Sequence, residues 1–165
     1  MAEILKGAKF SDCGKYRYYL YRIWDESLPA AMCIGLNPST ANADDDDQTI
    51  SGLIRMLPEY GYGGFYMLNL FGLISTDPEK LRECPNPVGE QDYYLRHTRR
   101  FVHDVIFAWG SFKQATYRAK LMEKAFPDAL CFGKTSKGNP IHPLAAAVWL
   151  KSKCKLQPFK EVKNG

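Results

Sequence analysis

The 165-residue sequence has no run of about 18 apolar residues, so it offers no candidate for a membrane-spanning helix. Its first residues, Met1-Ala2-Glu3-Ile4-Leu5-Lys6, lack the long apolar core of a secretory signal, and the cytoplasm is the expected compartment. Cysteine is sparse and badly spaced for a scaffold. Cys13, Cys33, Cys84, Cys131 and Cys154 are odd in number, lie far apart and form no C-x-x-C pair. That argues against a disulfide framework and a zinc knuckle, and the close ligand pairs of an iron–sulfur cluster are missing. Cys33 and Cys131 are expected as small core residues in strands. A P-loop, a G-x-G-x-x-G, an H-E-x-x-H and a G-x-S-x-G are all absent. There is no repeat, no low-complexity linker and no break in composition. These residues call for no metal and no cofactor.

What is present fits one domain over residues 1–165. A chain of this length buries roughly 70% of its unfolded surface and needs no covalent staples. Composition is ordinary for a globular protein, 45% hydrophobic and 24% charged. The net charge of +4 is compatible with a polyanionic partner without demanding one. Basic residues gather in a tail (Lys151, Lys153, Lys155, Lys160, Lys163) and at Arg96, Arg99 and Arg100. Each group alone reads as solvated surface.

Residues 16–24 alternate as a strand and are expected at a sheet edge. Residues 30–36, 65–71, 105–109 and 129–132 are short apolar runs suited to strands buried on both faces. Residues 49–57 have apolar positions Ile50, Leu53, Ile54 and Leu57 at helical spacing, after the acidic run Asp44 to Asp47 at the expected N-terminus. That run reads first as capping; binding a metal or positioning a water is the alternative. Asp77-Pro78 starts a short helix that Pro85 and Pro87 break. Longer helices are expected over 90–102, 112–125 with Ser111 as cap, and 145–150. Strand and helix alternate, as in a mostly parallel sheet covered by helices on both faces. Right-handed crossovers bring the strand C-termini to one edge, where open α/β sheets bind ligands.

At that edge lie the residues able to do chemistry. Gly35-Leu36-Asn37-Pro38-Ser39-Thr40 couples a backbone open to close approach with a stiff turn and polar side chains. Asn69 interrupts the apolar run 65–71, and a buried amide must be hydrogen-bonded to something. Its two donors and one acceptor can match a nucleobase edge. His142 stands between Pro140 and Pro143 in a loop after the fourth buried strand. Trp109-Gly110 ends the third. His97 and His103 lack such a setting and read as structural.

Together these motifs resemble a bacterial and phage family of domains of unknown function: Leu36-Asn37-Pro38-Ser39-Thr40-Ala41, Asp46-Asp47-x-Thr49-Ile50, Asn69-Leu70-Phe71, Ala108-Trp109-Gly110 and His142-Pro143-Leu144, with Gln48 where proline is usual. More widely they resemble the uracil-DNA glycosylase superfamily. That resemblance implies a three-layer α/β/α domain with a central, mostly parallel four-stranded sheet, plus an N-terminal edge strand or hairpin. It implies hydrolysis of the N-glycosidic bond of a base, modified or not, in DNA. Asn37 would position the attacking water and His142 would steady the departing base. Gly35, Leu36, Pro38, Ser39, Thr40, Asn69, Phe71, Trp109, Gly110, Pro143 and Leu144 would contact substrate, with Asn69 reading the base edge. Ser39, Lys134 and Lys137 would meet the DNA backbone. The most active branch has aspartate at the place of Asn37. The interval that supplies a stacking aromatic holds Tyr60 and Tyr62 here, without a clear equivalent. An enzyme of the same fold acting on a free nucleotide or nucleoside, and a non-catalytic nucleic-acid-binding module, stay open as alternatives.

Overall fold

The chain begins as an antiparallel hairpin. Strand β1 (Leu5–Phe10) pairs with β2 (Arg17–Ile23), so the N-terminal hairpin is present and β1 covers the strand expected at the edge. The computed structural model describes residues 3–145 and 155–161. The helix expected over 145–150 lies, but for Ala145, outside the described residues.

The apolar runs form β3 (Ala30–Gly35), β4 (Gly64–Asn69), β5 (Asp104–Phe107) and the two-residue β6 (Leu130–Cys131). A further short strand, β7 (Gln157–Pro158), was not foreseen. One sheet carries all seven in the order β1-β2-β4-β3-β5-β6-β7. The expected four-stranded, mostly parallel sheet is therefore corrected. Pairs β3·β4, β3·β5 and β5·β6 are parallel, whereas β1·β2, β2·β4 and β6·β7 are antiparallel. The sheet is mixed because an antiparallel hairpin extends one side of the parallel strands and β7 the other.

Side chains of β3 alternate between two apolar clusters. Met32 and Ile34 join one, Ala31 and Cys33 the other. The first is completed by Leu81 of helix α2 (Lys80–Glu83), Leu95 of α3 (Gln91–Arg99) and Met122 of α4 (Thr116–Ala125). The second is completed by Ile50, Leu53 and Met56 of α1 (Gln48–Met56). Strands buried on both sides carry apolar residues at both parities, which is why they read as continuous runs. Burial raises the Cys33 thiol to about 12. A 3-10 turn, Leu57–Tyr60, continues α1 and stops at Gly61, which adopts φ 87°.

One irregularity matters for the site. The register of β1 with β2 shifts where Lys9 faces Tyr19 and Phe10 faces Arg17, leaving Tyr18 as an extra residue. Tyr18 and Tyr19 consequently both reach Tyr94 of α3, Tyr18 stacked on it at a ring distance of 4.7 Å and Tyr19 tilted against it at 5.9 Å. Arg17 is re-aimed to the opposite side, toward the loop before α1, where its Nη1 donates to Ala41 O at 2.9 Å.

Candidate functional site

Strands β3 and β4 run in parallel register, with Gly35 beside Asn69 at their C-terminal ends. Gly35 leaves space that its neighbours occupy: a Cβ there would lie 2.7 Å from Asn69 Oδ1 and 2.6 Å from Met67 Cε, so the ends of both side chains would have to shift. The missing side chain makes room for the Asn69 amide. Asn69 is 2% exposed, and its Nδ2 has no hydrogen-bond partner among the described residues. Asn69 is among the residues lining a cavity of about 150 Å³ on the α1 side of the sheet. A void of that size holds a single six-membered ring.

Six residues singled out from the sequence line this cavity: Gly35, Leu36, Asn37, Ser39, Asn69 and His142. Asn37 Nδ2 is shared among the carbonyls of Ser75 at 2.8 Å, Pro38 at 3.1 Å and Leu73 at 3.4 Å. Only the NH₂ end of an amide can donate to carbonyls, so Oδ1 is left as an acceptor. His142 Nδ1 accepts from the Leu144 N–H at 3.2 Å. A neutral imidazole so held carries its proton on Nε2 and can donate from there. Desolvation lowers the His142 pKa below its ordinary 6.5, with Asp47 pulling weakly the other way. The ring is thus neutral at neutral pH.

The loop bearing His142 is stitched in place. Gly110 N donates to Pro140 O at 3.0 Å, and Asn139 Nδ2 donates to Ser111 Oγ at 3.2 Å. Ser111 therefore ties two loops together, and the cap expected of it is not made; the following helix opens with a 3-10 turn, Lys113–Ala115. Gly110 adopts φ 73°, and a Cβ there would meet the Cβ of His142 at 3.4 Å.

The cavity also holds residues that the sequence reading missed or read differently. Phe112, 38% exposed, lines it and offers an aromatic ring; Tyr60 and Tyr62 do not, Tyr62 belonging to the apolar cluster beneath α1 and Tyr60 packing against it. Phe112 had looked like the first apolar residue of a helix. Thr49, Ser75, Thr76 and Pro78 add further wall. Asp47 lines it too. Its Oδ1 caps α1 by accepting from Ile50 N at 2.9 Å, so the capping expected of the acidic run is real at this residue. Asp46 is used otherwise, pairing at 2.8 Å with Nε of the fully buried Arg22.

Arg17 completes the lining. It begins β2, which runs antiparallel to β4, so its position is beside the end of β4, where its N–H donates to Gly72 O. It is 3% exposed, and its Nε has no partner among the described residues. Burial lowers its pKa to about 10, partly offset by Asp47, and it remains charged at neutral pH.

Other sequence candidates lie outside the lining. Phe71 and Trp109 are buried in the apolar cluster on the far face of the sheet. Pro38 and Pro143 are buried, and Thr40 and Leu144 are exposed. Lys134 and Lys137 are exposed on the His142 loop, Lys134 with its Nζ 4.9 Å from the Phe159 ring centre. His97 stacks on Tyr93 and His103 borders a separate cavity with Arg99 and Asp128.

Among the described residues, no group of three or more His, Cys, Asp and Glu could hold a metal ion, and no helix is long and apolar enough to cross a membrane. No curated protein and no solved structure matches the chain. A family model does match, over residues 17–144, which contains every residue of the cavity wall. The chain belongs to the family described as protein of unknown function (DUF1643).

Proposed function

We propose that this cavity binds a nucleobase and that the protein hydrolyses the N-glycosidic bond holding that base in DNA. The observation that carries the reading is Asn69, a buried residue with an unpaired Nδ2, in the wall of a ring-sized cavity that Asn37 and His142 also line. A buried donor without a partner costs about 1–3 kcal/mol, a cost removed by an acceptor on the ligand. Helices on both faces of a sheet with a parallel centre agree with the three-layer architecture of uracil-DNA glycosylases, to which the sequence motifs point.

The chemistry follows from the donors and acceptors. A nucleotide flipped out of the duplex brings its base into the cavity, with the Phe112 ring available for stacking. The bond between the anomeric carbon and the base nitrogen breaks, and its electron pair leaves with the base. Asn69 Nδ2–H and His142 Nε2–H donate to the oxygens on which that charge grows, the kind of fixed dipole that stabilises a transition state. A water on Asn37 Oδ1 bonds to the anomeric carbon. Its proton passes to Asp47, the carboxylate in the cavity wall, which stands in for the aspartate absent at position 37. The released base then takes a proton from solvent.

The test is incubation with duplexes containing uracil, mismatched thymine or hypermodified bases, read as abasic sites. Wild-type protein should generate them on at least one duplex. Asn37→Ala and His142→Ala should each slow release by roughly 10²-fold or more. Release unaffected by either change sinks the assignment. Release from free nucleotides but from no duplex supports the second reading, a nucleotide-acting enzyme, which the buried charge of Arg17 favours.

A further inference from the structure

We infer that the cavity is an anion site in which Arg17 supplies the charge and Asn69 a second donor, and that its ligand presents one anionic group the size of a phosphate or of a single deprotonated ring. The inference rests on the same cavity as the proposed function, and adds a chemical class to it.

The three buried arginines give an internal comparison. Arg22 is satisfied by protein: Nε on Asp46 Oδ1 at 2.8 Å, Nη1 on Tyr21 O at 2.8 Å, Nη2 on Asn42 O at 2.8 Å. Arg118 holds both oxygens of Asp92 and donates from Nε to Leu70 O at 2.9 Å. Arg17 alone has no carboxylate within ion-pair distance among the described residues, and its Nε is unpaired. Burying a guanidinium is costly unless it is paired and hydrogen-bonded. Arg22 and Arg118 have carboxylate partners, Arg118 through Asp92 beside it in a separate cavity wall, and Arg17 in the wall of the Asn69 cavity has none among the described residues. Nor is Arg17 isolated there. Asn69, the second residue of that wall with an unpaired donor, lies in the same lining, and Ser39 and Thr49 bring hydroxyls.

One carboxylate opposes this. Asp47 lines the cavity, with Oδ1 spent on the α1 cap. It attracts Arg17 from beyond ion-pair distance and repels an anionic ligand. Removing its charge while keeping its cap should therefore tighten anion binding. Asparagine does this, since it caps as well as aspartate.

The anion has two possible sources, a phosphoryl group of a nucleotide and the ring of a departing base. Calorimetric titration separates them. One arm uses inorganic phosphate; the other compares 5-nitrouracil, which ionises readily, with uracil, which does not. Phosphate binding assigns the group to a nucleotide. Binding of 5-nitrouracil in preference to uracil assigns it to the base. In the arm that binds, Arg17→Gln should weaken affinity about tenfold or more, as for loss of a charged hydrogen bond. Arg17→Lys should recover part of the loss, and Asp47→Asn should tighten binding. Circular dichroism checks each variant; should Arg17→Gln fail to fold, Arg17→Lys and Asp47→Asn carry the test. Failure of both anions to bind overturns the inference, as does affinity indifferent to position 17 and to position 47. Anion binding without base release from any duplex leaves the anion site standing and removes the glycosidic reading. Base release that Arg17→Gln does not slow does the reverse.

Discussion

His142 is neutral because burial disfavours its charged form, and its tautomer is set because the Leu144 N–H occupies Nδ1. Protonation would require Nδ1 to become a donor, which breaks that bond. The linkage to stability has a definite sign. The folded-state pKa lies below 6.5, so the unfolded chain takes up the proton first as pH falls through that value. Folding stability should then fall on acidification, beginning near the unfolded pKa and levelling below the folded one. Urea denaturation between roughly pH 5 and pH 8 measures it. His142→Asn should lack this component, while His97 and His103, common to both proteins, cancel in the difference. An unchanged pH slope in the variant would rule out a buried, neutral His142.

The same residues mark what single positions disclose. Asn69 and His142 were legible because each is polar where its surroundings forbid an unpaired polar group or fix the backbone. Phe112 was hidden because a partly exposed aromatic at a cavity rim looks like any apolar residue opening a helix. Arg17 was hidden for a different reason. Strict alternation assigns it to the face of Tyr19 and Tyr21, and only the extra residue at Tyr18 turns it toward the α1 loop. Bulges leave no regular mark in a sequence, and they often re-aim a side chain beside a functional site.

At the scale of elements, the junction of loop and α1 joins stability to the site. Asp47 caps the helix through Ile50 N and also lines the cavity. Asp47→Ala should cost about 0.5–2 kcal/mol of stability, whereas Asp47→Asn should stay within a few tenths of wild type. Equal losses in chemical denaturation would mean that the charge, rather than the cap, is what position 47 contributes to folding. The four parallel strands were readable because burial on both faces demands unbroken apolar runs. Strand β7 has two exposed residues, and β1 mixes Lys6 and Lys9 with Gly7, so neither has such a run. The sheet's mixed character follows from β7, which was not read, from β1, which was expected only through the family resemblance, and from the antiparallel β2.

For the whole molecule, the proposed function turns on whether the ligand is a polymer. A net charge of +4 favours a polyanion, but the charge is not uniform around the cavity. Lys134 and Lys137 stand exposed on the His142 loop, while Asp44 and Asp45 stand exposed on the loop before α1. These groups pull on DNA in opposite directions, so net charge alone does not decide. Salt dependence does. Duplex DNA held through Z phosphates loses affinity with a log–log slope of about −0.9Z, a signature of counterion release that one small nucleotide lacks. Lys134 is already held over the Phe159 ring, whereas Lys137 has no such engagement among the described residues and is better placed to meet a phosphate. Fluorescence anisotropy of a labelled duplex across a salt series should give a steep slope, reduced by about 1 in Lys137→Ala and less in Lys134→Ala. A slope near zero, unchanged by either substitution, would remove DNA as the substrate and leave a single nucleotide as the ligand of the cavity.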